Sequence, residues 1–249
     1  MMDLTFLGTG NARGIPAFGC QCDICERAKT QPEYERHCPT QLVKAGDEAF
    51  VLDAGRFDLH RLIEQEPVNS VVLSHFHPDH VYGLFMMSWG RDREITVFAP
   101  PDKSGYADLI EDPGILKFEF VAPFQPFQLG NFAITPFPLI HGILTFGYAI
   151  QYEDSRLAYL MDTCGLPEET KEFLTDWRPD VSIIDCNQTP DNPKATHNTP
   201  AQAIEIHDAI GARRSYLSHL SCSVSMWLGT AALPESVIAA RDGMIAPIR

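Results

Sequence analysis

The stretch His-Phe-His-Pro-Asp-His at residues 75–80 follows the apolar run Ser-Val-Val-Leu-Ser at residues 70–74. It places three imidazoles and one carboxylate within six positions, at the end of a predicted strand. Histidine is the commonest protein ligand for metals, and carboxylate oxygen binds Mn²⁺ and Zn²⁺ alike. The chain has only 9 histidines, so this concentration indicates a metal site rather than a polar loop with unrelated histidines.

The composition is typical of a globular protein with a substantial core, since 45% of the 249 residues are hydrophobic and 21% are charged. No apolar run is long enough to span a bilayer. The N-terminus, which begins Met-Met-Asp, lacks the basic region and apolar core of a secretory signal. We therefore expect a cytoplasmic protein that does not bind a membrane.

The formal net charge of −14 limits the partners that the chain can bind. A strongly acidic surface repels a polynucleotide backbone, and the basic residues are scattered rather than clustered. Bound divalent cations would offset part of this acidity where an anionic substrate approaches. We expect a small phosphorylated substrate, a sugar or a cyclic nucleotide-like molecule, and no long nucleic acid.

Short β-rich runs crowd the first part of the chain, and helical patterns alternate with strands later. The predicted strands are residues 4–7, 41–44, 49–52, 70–73, 95–99, 132–137, 147–151, 156–160, 181–184 and 215–218. The predicted helices are residues 58–64, 80–87, 167–174 and 199–210, the last with Thr199 as its cap. This order predicts an α/β fold in which two mixed β-sheets pack together with helices outside, one αββα domain spanning residues 1–249.

Three further candidate ligands stand where predicted strands end. His141, Asp162 and His219 each follow an apolar run. One such histidine is more often a hydrogen-bonded structural residue than a ligand. Together with residues 75–80, the three indicate one shared site.

The ordered set of His-x-His-x-Asp-His followed by His, Asp and His resembles the metal signature of the metallo-β-lactamase superfamily. Asp53-Ala54-Gly55 resembles the turn that precedes that signature in the family. The resemblance implies an αββα sandwich with two catalytic divalent metals. One metal would be held by His75, His77 and His141, the other by Asp79, His80 and His219, with Asp162 as the bridge. Aspartate in the bridging position resembles the phosphodiesterase and ribonuclease Z branches more than the lactam hydrolases.

Two divalent cations about 3.5–4 Å apart can turn a bridging water into hydroxide and clamp the attacked group. A phosphodiester benefits because the cations neutralise charge on its non-bridging oxygens. The sequence has neither a Gly-x-Ser-x-Gly nucleophile elbow nor a Walker-type phosphate loop. The ligand set accepts Mn²⁺ or Zn²⁺, and also Ni²⁺ or Fe²⁺.

A second metal site is indicated by Cys20, Cys22 and Cys25. In a cytosolic chain such a cluster favours metal binding over disulfides. A structural Zn²⁺ needs a fourth ligand, for which Cys222 is preferred and Cys38 is the competitor. Residues 19–38 are accordingly predicted to form an N-terminal zinc-binding loop.

The glycine-rich segment at residues 8–20, the cysteine cluster and motifs such as Asp162-Thr163 and His197-Asn198 resemble the PhnP-type phosphodiesterases of the carbon–phosphorus lyase pathway. That family hydrolyses 5-phosphoribosyl 1,2-cyclic phosphate to ribose 1,5-bisphosphate in phosphonate catabolism. The resemblance implies that His197 is the general acid or a hydrogen-bond donor to the substrate phosphate, and that Asp79 acts in catalysis as well as in metal binding. One departure is Cys222, which stands where the family is expected to have histidine.

Three alternatives stay open at this stage. A ribonuclease Z-like nuclease shares the metal set but needs a basic tRNA-binding arm, which the sequence lacks. A non-hydrolytic cofactor-biosynthesis protein on the same fold has a similar cysteine cluster, and a hydrolase of thioesters or lactones is the third. The sequence also leaves open whether the chain forms a homodimer.

Overall fold

The first strand, β1 (Met2–Gly8), alternates between buried and more exposed residues. Met2, Leu4 and Phe6 face the interior. Successive strand residues point to opposite faces, so this pattern buries one face of a sheet. The computed structural model describes residues 1–102, 105–192 and 196–249. Within these ranges the strands form two sheets of seven.

The first sheet has the order β14-β1-β2-β3-β4-β5-β6, and the second has the order β13-β12-β11-β10-β9-β8-β7. The further strands of the first sheet are β2 (Thr40–Ala45), β3 (Glu48–Leu52), β4 (Val68–Val72), β5 (Ile95–Ala99), β6 (Leu116–Phe120) and β14 (Ile245–Ile248). Those of the second sheet are β7 (Phe127–Leu129), β8 (Phe132–Pro138), β9 (Phe146–Tyr152), β10 (Ser155–Leu160), β11 (Val181–Asp185), β12 (Arg214–Ser218) and β13 (Val237–Ala239).

The main core lies between the two sheets and is built largely from aromatic side chains. Phe50 of the first sheet meets Phe132 of the second edge-to-face, with ring centroids 5.0 Å apart. Phe6 of the first sheet and Tyr216 of the second make another ring contact, tilted at 52° with centroids 5.2 Å apart. Such pairs add to the stabilisation that comes from burying their apolar area. The two sheets are thereby fixed face to face.

Helices cover the outer face of each sheet and form two further apolar clusters there. The helices are α1 (Asp23–Ala28), α2 (Leu59–Leu62), α3 (Pro78–Ser88), α4 (Ala107–Glu111), α5 (Glu168–Trp177), α6 (Pro200–Ile210) and α7 (Cys222–Leu228). α6 begins with the expected threonine cap, because the Thr199 hydroxyl accepts from the Gln202 amide. The αββα sandwich predicted from the sequence is confirmed.

The strand directions bring the predicted ligands to one edge of the sandwich. Strands β3 to β6 are parallel to one another, as are β10 to β13. Carboxyl ends of parallel strands lie at the same edge, where α/β folds place their sites. β4 ends before His75, β10 ends before Asp162, and β12 ends before His219.

The structure differs from the sequence expectations in several places. Strands β6, β7, β13 and β14 were not predicted, and all four lie at sheet edges. Residues 19–38 are not simply a loop, since they contain α1 and a 3₁₀ turn, Pro32–Tyr34. α3 begins at Pro78, two residues before the predicted start, so Asp79 lies in its first turn rather than before it. No helix in the described ranges is long and apolar enough to cross a membrane.

The aromatic contact between the sheets predicts how a substitution in the core changes the free energy of unfolding. Phe50 is fully buried, so Phe50→Ala should lower the free energy of unfolding of the metal-loaded protein by about 3–5 kcal/mol. Phe57, which is 63% exposed, provides the matched control, and Phe57→Ala should change stability little. Urea unfolding of both variants measures the difference; equal losses would contradict the assignment of the core.

Candidate metal centre

Three histidine nitrogens converge at the end of β4. His77 Nδ1 lies 2.9 Å from His75 Nε2 and 3.1 Å from His141 Nε2. The ring of His141 is held by its other nitrogen, Nδ1, which is 3.0 Å from the Thr196 carbonyl oxygen. A carbonyl only accepts, so Nδ1 carries the proton and Nε2 of the neutral ring presents a lone pair to the cluster. A divalent cation would satisfy such converging lone pairs.

A second cluster lies beside the first and consists of Asp79, His80 and His219. His219 Nε2 is 3.1 Å from Asp79 Oδ2, and His80 Nε2 is 3.6 Å from the same oxygen. His80 Nδ1 donates to Asp53 Oδ2 at 2.7 Å, which leaves Nε2 as the nitrogen that faces the cluster. That nitrogen is buried without a hydrogen-bond partner. A buried, unpartnered nitrogen beside a carboxylate fits a metal ligand.

Asp162 stands between the two clusters. Its Oδ2 lies 3.7 Å from His75 Nε2 and 3.8 Å from His141 Nε2 on one side. On the other side the same oxygen lies 3.4 Å from His80 Nε2 and 3.5 Å from His219 Nε2. Its second oxygen, Oδ1, is buried and has no hydrogen-bond partner. The residues therefore fit a dinuclear centre in which this carboxylate reaches both ions.

The charges of the two clusters differ. Burial and the neighbouring imidazole of His80 hold the pKa of His75 well below its usual range. Burial alone would also lower the pKa of His219, but Asp162 and further carboxylates outweigh it and raise this pKa to about 10. The carboxylates thus stabilise positive charge in the second cluster. A bound cation would supply that charge in place of the protons on the histidines.

Side chains behind the ligands fix their orientation. Asp53, which is fully buried, accepts from His80, from the Ser74 amide and hydroxyl at 2.7 Å each, and from the Tyr159 hydroxyl at 2.6 Å. The Ser74 hydroxyl also lies 2.9 Å from His75 Nδ1. Such outer contacts set the tautomer and ring orientation of metal-binding histidines. The sequence motif at residues 53–55 pointed to Asp53, whereas nothing in the sequence indicated the Thr196 carbonyl.

His197 enters the site from the loop before α6. Its Nδ1 donates to Asp185 Oδ2 at 2.8 Å, and its ring centroid lies 4.9 Å from that of His219. Burial alone would lower the pKa of His197, but the carboxylate of Asp185 outweighs it and raises that pKa. Asp185 Oδ1 also approaches His219 Nδ1 at 3.5 Å. One buried carboxylate therefore orients His197 and lies beside His219.

The two clusters open into a cavity of about 430 Å³. Its walls are polar, and Ala12 is the single apolar side chain among the described residues that line it. The cavity is lined by Asn11, Ala12, Arg13, His77, Asp79, Asp162, Asn187, Gln188, Thr189, Asn192, Thr196, His197, His219, Ser221 and Ser223. A small polar ligand matches this volume and lining.

The cysteine cluster lies apart from these residues. Cys20, Cys22, Cys25 and Cys222 place their sulfur atoms within 4.8 Å of one another, the arrangement that a tetrahedral Zn²⁺ site needs. Cys38 is directed elsewhere, with its sulfur 3.7 Å from the Asn11 carbonyl oxygen. The structure thus brings Cys222, and not Cys38, to the other three.

Residues 47–220 match the family described as the beta-lactamase superfamily domain. The chain therefore belongs to the metallo-β-lactamase superfamily, as its motifs suggested. A solved structure described as a new diphosphatase from the PhnP family shares the fold, with a TM-score of 0.84, 24% identity, and coverage of 98% of this chain and 96% of that one. This likeness shows that the two chains share one fold over nearly their whole length.

Among curated proteins, the chain is 28% identical over 237 residues to the octanoyltransferase of Porphyromonas gingivalis, covering 88% of this chain and 46% of that protein. It is also 28% identical over 219 residues to the ribonuclease Z of Bacillus subtilis, covering 78% and 66%. The chain spans about half the length of most of the curated relatives that it matches.

The cysteine geometry predicts which substitution removes the structural metal. Cys222→Ser should lower the Zn²⁺ content of the purified protein by about one ion per chain, because a tetrahedral site loses one of four ligands. Cys38→Ser is the matched control and should keep the full content. Elemental analysis of both variants measures this. A loss of Zn²⁺ in Cys38→Ser with none in Cys222→Ser would reverse the assignment.

Proposed function

We propose that this protein is a metal-dependent phosphodiesterase that hydrolyses a small cyclic phosphodiester, with 5-phosphoribosyl 1,2-cyclic phosphate as the expected substrate. The position of Asp162 between two ligand clusters carries this proposal, because its Oδ2 lies within 4 Å of histidines from both. Two ions held there would activate water for attack and offset charge on the phosphoryl oxygens. The product would be ribose 1,5-bisphosphate, and the hydrolysis would be a step in phosphonate catabolism.

The chain's own residues supply orientation and a buried negative field. Burial alone would raise the pKa of Asp162, but His219 and His80 hold it well below its usual range, so the carboxylate stays ionised. Asp79 adds a second buried carboxylate at the mouth of the cavity. Mn²⁺ or Zn²⁺ fits this mixed set of nitrogen and oxygen ligands, and Ni²⁺ or Fe²⁺ also fits.

His197 is proposed as the general acid. When water attacks phosphorus, the bond between phosphorus and one sugar oxygen breaks, and that oxygen takes a proton. His197 lines the cavity, and Asp185 outweighs the effect of burial and raises its pKa, which favours the protonated form that a general acid needs. The proton lost from His197 is recovered from solvent at the end of the cycle.

The polar lining of the cavity and the charge of the chain favour a small phosphorylated substrate over an octanoyl thioester or a precursor tRNA. An octanoyl thioester would bring a long apolar chain to walls that offer one apolar side chain among the described residues. Precursor tRNA would need a basic surface, whereas the chain has a net charge of −14. The ribonuclease Z relatives nevertheless make precursor tRNA the necessary second substrate in any test.

The proposal is tested by assaying the purified protein with Mn²⁺ against 5-phosphoribosyl 1,2-cyclic phosphate, a 2′,3′-cyclic nucleotide, precursor tRNA and an octanoyl thioester. The ribosyl cyclic phosphate should be cleaved fastest. His77→Ala and Asp162→Ala should abolish the activity while circular dichroism shows a folded chain, because each removes a metal ligand. Wild-type turnover in either variant would rule out the dinuclear mechanism, and faster cleavage of tRNA would favour the nuclease.

The contact between Asp185 and His197 predicts a pH effect. A general acid loses activity as pH rises through its pKa, and removing the nearby negative charge lowers that pKa. Asp185→Asn should therefore move the basic limb of the kcat/KM profile to lower pH, whereas His197→Ala should remove this limb and lower kcat by about 10²–10⁴-fold. Metal content, measured in parallel, should be retained in His197→Ala. A limb that stays in place in a fully metal-loaded Asp185→Asn enzyme would contradict the role of His197.

A further inference from the structure

Arg13 is the one lysine or arginine among the described residues that line the cavity. It is exposed, and its guanidinium group makes no hydrogen bond or ion pair with another described residue. Exposed arginines often pair with carboxylates on the same surface, and the chain carries 33 acidic residues. An unpaired guanidinium at the wall of a metal site is therefore available to a ligand.

The backbone around Arg13 is held in place by Asn11, which is only 9% exposed. Asn11 Oδ1 accepts from the Arg13 amide at 3.1 Å, and its Nδ2 donates to Asn187 Oδ1 at 2.9 Å. The Asn11 carbonyl accepts from the Gly14 amide at 2.8 Å, which closes a tight turn. The positive φ of Gly14, 61°, is a conformation that glycine adopts without strain.

The same loop is joined to the segment that carries the metal ligand His219. The Leu220 amide donates to the Thr9 carbonyl at 2.9 Å, and Gly10 forms a parallel bridge with Leu220. The Ser221 hydroxyl donates to the Asn187 carbonyl at 3.0 Å. These bonds fix the backbone that carries Arg13 relative to the metal centre.

The cavity thus offers three kinds of contact. The two clusters would bind cations, and Arg13 adds a guanidinium cation to the lining of the same cavity. Uncharged donors and acceptors complete the lining, among them Asn187, Gln188 and Ser223. Amides and hydroxyls of this type suit sugar hydroxyl groups, while arginine binds phosphate oxygens in a bidentate manner.

We propose that Arg13 is a specificity-determining residue that binds a second anionic group of the substrate, a phosphate monoester remote from the phosphodiester that is cleaved. This inference rests on the proposed phosphodiesterase function and adds to it. It limits the substrate class to phosphorylated sugars that carry both groups. Arg13 takes no part in bond breaking, so its removal should act through binding of that group.

A matched pair of substrates tests the proposal: 5-phosphoribosyl 1,2-cyclic phosphate and ribose 1,2-cyclic phosphate, which lacks only the second phosphate. The Mn²⁺-loaded wild-type enzyme should prefer the phosphorylated substrate in kcat/KM. Arg13→Gln should raise KM for that substrate by about 10-fold to 100-fold, since a charge-assisted hydrogen-bond pair is lost. The preference between the two substrates should fall by the same factor. Arg13→Lys should restore part of it.

Arg91, an exposed arginine outside this cavity, supplies the control, and Arg91→Gln should keep the wild-type preference. If Arg13→Gln lowers kcat/KM equally for both substrates, or for neither, the inference is overturned while the proposed function stands. If the wild-type enzyme cleaves neither substrate, the proposed function fails and this inference fails with it.

Discussion

The buried carboxylate of Asp53 is the contact on which the rest of the site depends. It lies at the end of β3, accepts from Ser74 and His80 beside the first sheet, and accepts from Tyr159 of the second sheet. Burying a charge costs free energy unless it is hydrogen-bonded, and four short hydrogen bonds meet that requirement here. The same bonds align the second metal cluster and join the two sheets at the edge where the site forms.

Two of the six described non-glycine residues with a positive φ angle lie at the same edge. Asp53 and His219 have φ angles of 53° and 61°, a region that non-glycine residues seldom adopt. Such conformations cost about 1–3 kcal/mol each and persist only where the surrounding contacts enforce them. Here the strained residues turn the chain sharply after β3 and β12, so that the carboxylate of Asp53 and the imidazole of the candidate ligand His219 reach the junction of the sheets.

Much of the fold and of the candidate site could be predicted from the sequence, because both follow from local patterns. The apolar runs that end at His75, Asp162 and His219 gave the strands and placed the ligands at their ends. The strands β13 and β14 were missed because they are short and lie at sheet edges, where pairing with a neighbour decides their conformation more than their own pattern does. The Thr196 carbonyl was missed because every residue has one, so sequence gives no signal for it.

The sequence by itself determined the inventory of ligands: the His-x-His-x-Asp-His motif, the later histidines and aspartate, and a cysteine cluster in need of a fourth member. The tertiary structure alone decided that Cys222 joins that cluster while Cys38 points to Asn11. It also decided that Arg13 lines the cavity. The reason is physical. Ligand type and short spacing are local properties of the chain, whereas the meeting of residues some 200 positions apart depends on how two sheets pack and where their loops are joined.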